Sequence, residues 1–395
     1  MEEGKKMSSI KFAILNAITI SGGELSIADI SRHTDTSIPT VTKFIGELID
    51  EGYVVDNGKN RLNNGRRPSI YGFNPDKGTF VGVDLAKDVV RICSMNFRGD
   101  MAEVESHQFE TVNTTESVEA LCDLIRGYIG RHSLEWDKVL AVSLSMGGRV
   151  DSRSGFSHTM YSFGELPVVE IMSGALGGVN VYVENDSRAM LYGEYLCGSG
   201  REEQTVVFAN LSWGFGLGII IDGKLFYGKS GFSGEYGHIP MTDNEIICQC
   251  GKIGCVETDV SGWATRRKII EKLKDGRVSI LSEKFAKTGD VTLNDILDAA
   301  QVEDTLAIEV IETVGESLGK ALSGVINIFN PEIIIIGGCM MPVKEYFMLP
   351  MRQAIQKYSL RLVSRDTVIR TSALGDNAAV YGSCLFARSK MLGIV

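Results

Sequence analysis

Thr79-Phe80-Val81-Gly82-Val83-Asp84-Leu85, a short turn, and Val89-Val90-Arg91-Ile92-Cys93-Ser94-Met95 read as two apolar strands around a tight turn. The pattern returns about 120 residues further on: Thr205-Val206-Val207-Phe208-Ala209-Asn210-Leu211, a glycine-containing turn, and Leu217-Gly218-Ile219-Ile220-Ile221-Asp222-Gly223. Two such hairpins so far apart imply a duplicated α/β lobe. Helical stripes lie between and after them. Val118, Leu121, Leu124, Ile125 and Ile129 form one, and Asp186 to Leu196 another. Thr305 to Phe329 reads as a long helix running into the apolar strand Ile333 to Ile336, and a last helix spans about 377–387.

The chain has 395 residues, more than one compact core usually holds, so two or three domains are expected. Its 44% hydrophobic and 23% charged residues fit an ordinary globular protein. No uncharged apolar run approaches the ~18 residues of a membrane span. The first residues lack the apolar block and cleavage site of a secretory signal, so a cytoplasmic, reducing setting is expected. The net charge of −10 argues against a surface coated by nucleic acid. The deficit sits in the body, because residues 1–75 carry 9 basic and 9 acidic side chains.

Those first residues form a small head. A helical stripe runs from Met7 to Ile20 through Phe12, Ile14, Leu15 and Ile18, and the turn Ser21-Gly22-Gly23 follows. A second short helix fits Ser26 to Thr34, with Ile27 and Ile30 inward. Ser37 is placed to cap a third helix with Pro39 in its first turn. That helix is expected to bury Val41, Phe44, Ile45, Leu48 and Ile49 and to stop at Gly52. Its other face, with Ser37, Pro39, Thr40, Thr42, Lys43 and Gly46, suits a helix in a DNA major groove. A β-hairpin from Tyr53 follows, whose tip holds Lys59, Arg61, Arg66 and Arg67 as partners for phosphate or the minor groove. Three short helices, a hairpin and a basic tip read as a winged helix-turn-helix, and a solvated packing module is the plainer alternative. Asn74-Pro75-Asp76-Lys77-Gly78 is the linker.

Three of the eight cysteines, Cys248, Cys250 and Cys255, lie within eight residues, a spacing that in a reducing compartment favours a metal over a disulfide. Together with Gly234-Glu235-Tyr236-Gly237-His238, the run Cys248-Gln249-Cys250-Gly251-Lys252-Ile253-Gly254-Cys255-Val256-Glu257 resembles the ROK family of repressors and sugar kinases. Glu184-Asn185-Asp186 and Asn330-Pro331-Glu332 with Gly337-Gly338 support the resemblance, which covers essentially the whole chain. It implies an α/β fold with an N-terminal winged helix-turn-helix and a two-lobed, actin-like body of duplicated ribonuclease H-like lobes. The expected boundaries are 1–74 for the head, 79–195 plus 376–395 for lobe 1, and 196–375 for lobe 2 with its metal loop.

Thiolates with one imidazole favour tetrahedral Zn²⁺, and His238 is the candidate fourth ligand beside the three cysteines. Four protein ligands would make a closed, structural site, and the pattern is similar to the family's zinc site. Coordination through one ring nitrogen would leave the other aimed at a ligand. Asn185, Asp186, Glu235, His238 and Glu257 supply the amide, carboxylates and imidazole that span sugar hydroxyls, and the resemblance implies that all five meet one sugar. The Met146-Gly147-Gly148-Arg149-Val150-Asp151 loop is similar to the family's sugar-side loop, with Gly147 where proline is common. Tyr236 and Ser233 are expected to tune specificity.

In a kinase of this family Asp186 would be the base and Asp84 would stand on the metal side. The family's kinases carry an Asp-x-Gly-Gly-Thr-Lys-like turn where this chain has Asp84-Leu85-Ala86-Lys87-Asp88-Val89. Their second phosphate loop, Gly-Thr-Gly-x-Gly, reads Ser212-Trp213-Gly214-Phe215-Gly216 here. A carboxylate about 4 Å from a phosphate costs on the order of 1–4 kcal/mol. The expectation is a sugar-responsive DNA-binding regulator, a repressor, with no catalytic residues. The alternatives are an ATP-dependent carbohydrate kinase with an appended head, and a body that docks a protein partner. Operator DNA, a sugar or sugar phosphate and a homodimer or homotetramer are the implied partners, with no membrane role.

Overall fold

The computed structural model describes residues 9–59, 68–201 and 203–395, and the chain divides into two compact units. One comprises the residues up to Arg201 together with Asn377–Val395, and the other runs to Asp376. Helix α6 (Asp186–Cys197) thus stays whole within the first unit. Among the described residues no helix is long and apolar enough to cross a membrane.

The head contains α1 (Ser9–Ile20), β1 (Glu24–Ser26), α2 (Ile27–Thr34), α3 (Ile38–Asp50), β2 (Val54–Lys59) and β3 (Ser69–Phe73). Ile14, Leu15 and Ile18 of α1 close on Ile30, Val41, Ile45 and Leu48 as its core. Lys11 lies almost buried and bridges Glu47 and Glu51 at 2.7 Å each, tying α1 to α3. Ser26 caps α2 through the Asp29 amide. Three expectations need correction. Ser37 holds the N-cap position of α3, but its hydroxyl pairs with Thr40 Oγ1 at 2.8 Å and makes no cap bond to the backbone. Phe44 is only half-buried and Ile49 is exposed, because they flank the inward stripe instead of lying on it. The wing sheet has a third strand, in the order β1-β3-β2. The Lys59 side chain and Arg61, Arg66 and Arg67 lie outside the described residues.

Lobe 1 contains β4 (Thr79–Ala86), β5 (Val89–Asn96), β6 (Glu105–Gln108), α4 (Thr115–Arg131), β7 (Val139–Met146), the small pair β8 (Val150–Asp151) and β9 (Phe156–Ser157), α5 (Val168–Ala175), β10 (Asn180–Asn185) and α6. Its sheet runs β6-β5-β4-β7-β10; β4 pairs antiparallel with β5 and parallel with β7, and β7 parallel with β10. The second unit holds β11 (Val206–Leu211), β12 (Phe215–Ile221), β13 (Lys224–Leu225), α7 (Glu257–Val260), α8 (Gly262–Lys274), α9 (Ser282–Thr288), α10 (Leu293–Gln301), α11 (Thr305–Phe329), β14 (Ile333–Gly337), α12 (Lys344–Tyr358), α13 (Arg361–Ser364) and β15 (Val368–Thr371). Its sheet, β13-β12-β11-β14-β15, repeats the first strand for strand and in the same sense. The duplication read from two hairpins therefore extends to whole sheets.

The last helix, α14 (Ala378–Met391), returns to the first unit and packs on β4 and α6. Glycines set this contact. A Cβ on Gly82 would fall 2.5 Å from Val380 O, and one on Gly193 2.5 Å from Ala378 O. One on Gly382 would run into the Ala189 carbonyl. Asn330-Pro331-Glu332 also has a structural role. Asn330 ends α11 in the left-handed region (φ 42), and Glu332 accepts the Gln204 and Thr205 amides at 2.5 and 2.8 Å, pinning the start of β11.

The head is joined to lobe 1 by aromatic rings. Phe97 gathers Tyr53, Phe73 and Phe80 at centroid separations of 5.9, 5.5 and 5.6 Å. Lys77 of the linker lies 4.3 Å over Tyr53 and donates to Glu51 O at 2.9 Å. If the α6–α14 crossing fixes this unit, Gly382→Leu lowers stability by about 3 kcal/mol or more, because backbone rather than a flexible side chain must give way. Urea unfolding of the full chain measures it, and an unchanged midpoint would refute the assignment.

Candidate functional site

The three cysteines and His238 come together as their spacing implies. Their ligating atoms all lie within 4.8 Å of one another. Cys250 and Cys255 Sγ are 3.6 Å apart, and Cys248 Sγ is 3.5 Å from His238 Nδ1. A metal–sulfur bond of about 2.3 Å in a tetrahedron sets ligand edges near 3.8 Å, so the donor set fits a tetrahedral ion. The loop is folded locally: Gly251 N donates to Cys248 O and Cys248 N to Lys252 O, both at 2.8 Å, with Gly251 at φ +83. Burial pushes the Cys248 and Cys255 thiols up, so thiolates here need a cation beside them.

His238 ends a short 3₁₀ turn, Tyr236–His238, and this turns its two nitrogens to different partners. Nδ1 faces Cys248, while Nε2 stands 3.7 Å from Glu235 Oε2. Glu257, which opens α7, reaches Cys248 Sγ at 3.6 Å with Oε1 and accepts the Phe215 amide at 3.1 Å with Oε2. That explains Gly214, whose added Cβ would sit 2.8 Å from the same oxygen. In the second unit, then, Glu235, His238 and Glu257 share one neighbourhood with the cysteines. The hydroxyls expected to tune specificity are already engaged: Tyr236 donates to Ala321 O at 2.6 Å, and Ser233 donates to Phe226 O.

Asn185 and Asp186 stand where β10 meets α6 in the first unit. Asn185 is the N-cap, accepting from the Ser187 and Arg188 amides, and its Nδ2 donates to Gly148 O at 3.0 Å. It thereby fixes the Met146–Asp151 loop, and only its second amide hydrogen remains for a ligand. Asp186 Oδ1 accepts the Ser187 amide at 2.7 Å. Glu184, part of the same motif, is fully buried and serves the fold: Arg188 Nε donates to it at 2.6 Å and Ser152 Oγ at 2.7 Å.

Asp84 is also buried, held by Arg91 at 3.2 Å and by Ser145 Oγ at 3.2 Å. Ser145 was not legible as a partner, its only signal being a serine in the buried strand β7. Burial, opposed by Arg91 and aided by Asp186, pushes Asp84 up to about 6. Below it β4 and β5 are joined by Lys87 and Asp88 alone, with Asp88 at φ 62. In the head, Ser37, Pro39, Thr42 and Lys43 are exposed on one side of α3, and Thr40 is half-buried.

A winged head on a duplicated ribonuclease H-like body, with a cysteine–histidine cluster set beside paired carboxylates, defines a DNA-binding protein built on a sugar-kinase scaffold. The ROK family pattern matches residues 80–390, and a winged helix-turn-helix DNA-binding pattern matches residues 7–55. The chain belongs to the ROK family. It is 30% identical to the xylose repressor of Caldicellulosiruptor bescii over 93% of this chain and 92% of that one. It is 27% identical to the N-acetylglucosamine repressor of Escherichia coli, over 94% and 91%. Among solved structures, a ROK family transcriptional regulator described as a homolog of the Escherichia coli MLC protein aligns with TM-score 0.79 and 25% identity, covering 97% of this chain and 98% of that one. A ROK family glucokinase from Streptomyces griseus, in complex with glucose and AMPPNP, aligns with TM-score 0.68 and 25% identity, covering 79% and 100%.

Asp84 gives a pH test. Its folded pKa lies above the unfolded value of 3.8. The native state therefore binds the proton more tightly, and the stability this lends is present below pH 4 and lost as pH rises through 6. The loss is about 2–3 kcal/mol. Asp84→Asn removes it, so wild type should lose stability relative to the variant between pH 4 and pH 6.5 in urea titrations. Parallel pH profiles would contradict the burial argument.

Proposed function

We propose that this protein is a sugar-responsive transcriptional repressor, in which the winged head binds operator DNA and the body senses a sugar or sugar phosphate. The observation that carries the reading is one chain holding both an exposed polar α3 face and a sugar-kinase-like body, over the same length as the xylose and N-acetylglucosamine repressors. Asn185, Asp186, Glu235, His238 and Glu257 are the proposed ligand-facing groups. Ser37, Pro39, Thr40, Thr42 and Lys43 are proposed to meet the major groove, with Lys59, Arg61, Arg66 and Arg67 of the wing on the backbone or minor groove. Two copies of the chain would read two half-sites of an operator, and differential affinity of the sugar for two arrangements of the copies supplies the switch.

The metal is proposed to be Zn²⁺, held by His238 Nδ1 and by Cys248, Cys250 and Cys255; with four protein donors it supplies structure and no catalysis. Its role is to fix the His238 ring so that Nε2 stays beside Glu235. The protein should contain one zinc per chain by elemental analysis. Cys255→Ser should lose the metal and at least about 3 kcal/mol of stability. Full stability with no bound metal would rule out the structural site.

Two features support a body without kinase activity. The β4–β5 turn offers only Lys87 and Asp88 where a phosphate would lie, and the Phe215 amide of the second loop is taken by Glu257. The glucokinase likeness favours the rival reading, a carbohydrate kinase with a DNA-binding head. Fluorescence anisotropy with a duplex from the protein's own promoter, titrated with xylose and with N-acetylglucosamine, decides between them. One sugar should weaken DNA binding at least about tenfold, a coupling of roughly 1.4 kcal/mol. Glu235→Gln should abolish the response while DNA binding persists, and Lys43→Ala should weaken DNA binding alone. Failure to retain the duplex at low salt, or sugar-dependent ATP turnover abolished by Asp186→Asn, would overturn the proposal.

A further inference from the structure

Within the first unit a cavity of 190 Å³ opens where the head meets lobe 1, bordered by Thr19 and Gly22 of the head and by Arg98, Cys197, Arg201 and Arg388 of the lobe. Arg388 is the unusual member. It is 4% exposed, and among the described residues its hydrogen bonds run only from Nη1 to Phe97 O at 3.1 Å and Arg98 O at 2.9 Å. Among the described residues its Nε has no partner, and no aspartate or glutamate pairs with it. The guanidinium face lies 4.8 Å over the Phe73 ring, a weak substitute for a counter-ion. Burial lowers its pKa, and only Tyr192 and the thiols of Cys197 and Cys384 pull it back. A buried cation without a counter-charge is costly, and buried charges are as a rule paired, so an anion entering the cavity would relieve the cost.

The other groups at the cavity are consistent with a missing anion. Arg201 makes no hydrogen bond or ion pair with any described residue. It lies against Gly22, where an added Cβ would strike its guanidinium, so that the turn leaves it room. Arg98 is already matched by Asp100, at 3.0 Å from its Nε, and contributes wall rather than free charge. Glu194, one turn before Cys197, accepts the Ser199 amide at 2.8 Å.

We propose that this cavity is a second ligand site, which takes a small phosphate-type oxyanion on Arg388 and Arg201 and thereby stiffens the junction between head and lobe 1. An oxyanion there completes the charge of Arg388, the side chain that stacks on Phe73 at the end of wing strand β3. The proposal is independent of any sugar bound by Asn185 and Asp186 at the other end of α6, and it stands or falls separately from that reading.

Cys197 lines the cavity and is exposed, so it reports on occupancy. Alkylation of Cys197 by a neutral maleimide, followed by peptide mass mapping on the full-length protein, is measured with inorganic phosphate against chloride at equal ionic strength. At twice its dissociation constant phosphate should slow alkylation about threefold and raise Tm. Both effects should vanish in Arg201→Gln, a surface substitution that spares the fold, whereas Arg388→Met alters a buried contact. A parallel series with glucose 6-phosphate separates the two sources of the group: stronger protection than by the free ion assigns a phosphate monoester, equal protection inorganic phosphate. Equal rates in phosphate and chloride, or undiminished protection in Arg201→Gln, would overturn the proposal.

Discussion

The crossing of α6 and α14 is the constraint on which the first unit depends. Gly193 and Gly382 let the two backbones approach to a separation no side chain permits, and Gly82 does the same where α14 meets β4. The last helix thus covers a sheet begun some three hundred residues earlier in sequence. This contact fixes the axis of α6, and the axis fixes what stands at its ends: the Asn185 cap and Asp186 at the first turn, Cys197 at the last. The buried Glu184–Arg188 pair adds a second restraint at the N-terminal end, because Arg188 also donates to Val150 O at 3.1 Å and holds β8 to the helix. Such a pair adds little net stability but is costly to break from one side, so it serves to specify geometry.

In the second unit the corresponding restraint is the cysteine loop. His238 lies between two chemistries because a single 3₁₀ turn points Nδ1 at the sulfurs and Nε2 at a carboxylate. Glu257 shows the same economy, with one oxygen toward Cys248 and the other closing the 212–216 loop through the Phe215 amide. Loss of order at the sulfurs would therefore be felt by both carboxylates and by the 212–216 loop.

Much of this was legible in the sequence, for identifiable reasons. Thr79–Leu85 and Thr205–Leu211 announce the duplication because buried central strands must be apolar on both faces. The cysteine cluster is legible because ligand identity and spacing survive without coordinates. Strand β1 is not, since three residues carry no period and exist as a strand only through pairing with β3. Ser37 misled because its hydroxyl had two partners within reach, and Thr40 took it in place of the backbone. Arg388 could not be singled out at all: an arginine near the end of a helix is ordinary until the carbonyls of Phe97 and Arg98 arrive from the far side of the chain.

These restraints bear on how a ligand could influence the head. Helix α6 has 12 residues and so spans about 18 Å, joining Asp186 at one end to the junction cavity at the other. A rigid helix locked to α14 by backbone contacts transmits a displacement rather than absorbing it. The head, in turn, is fastened to that end of the unit by the Phe97 ring cluster and by Arg388 over Phe73. Asp186 and the winged head are thus linked through one helix and the contacts at its far end. Reciprocity then sets the test of such a link: if an oxyanion on Arg388 changes affinity at Asp186, a ligand at Asp186 changes affinity for the oxyanion by the same factor.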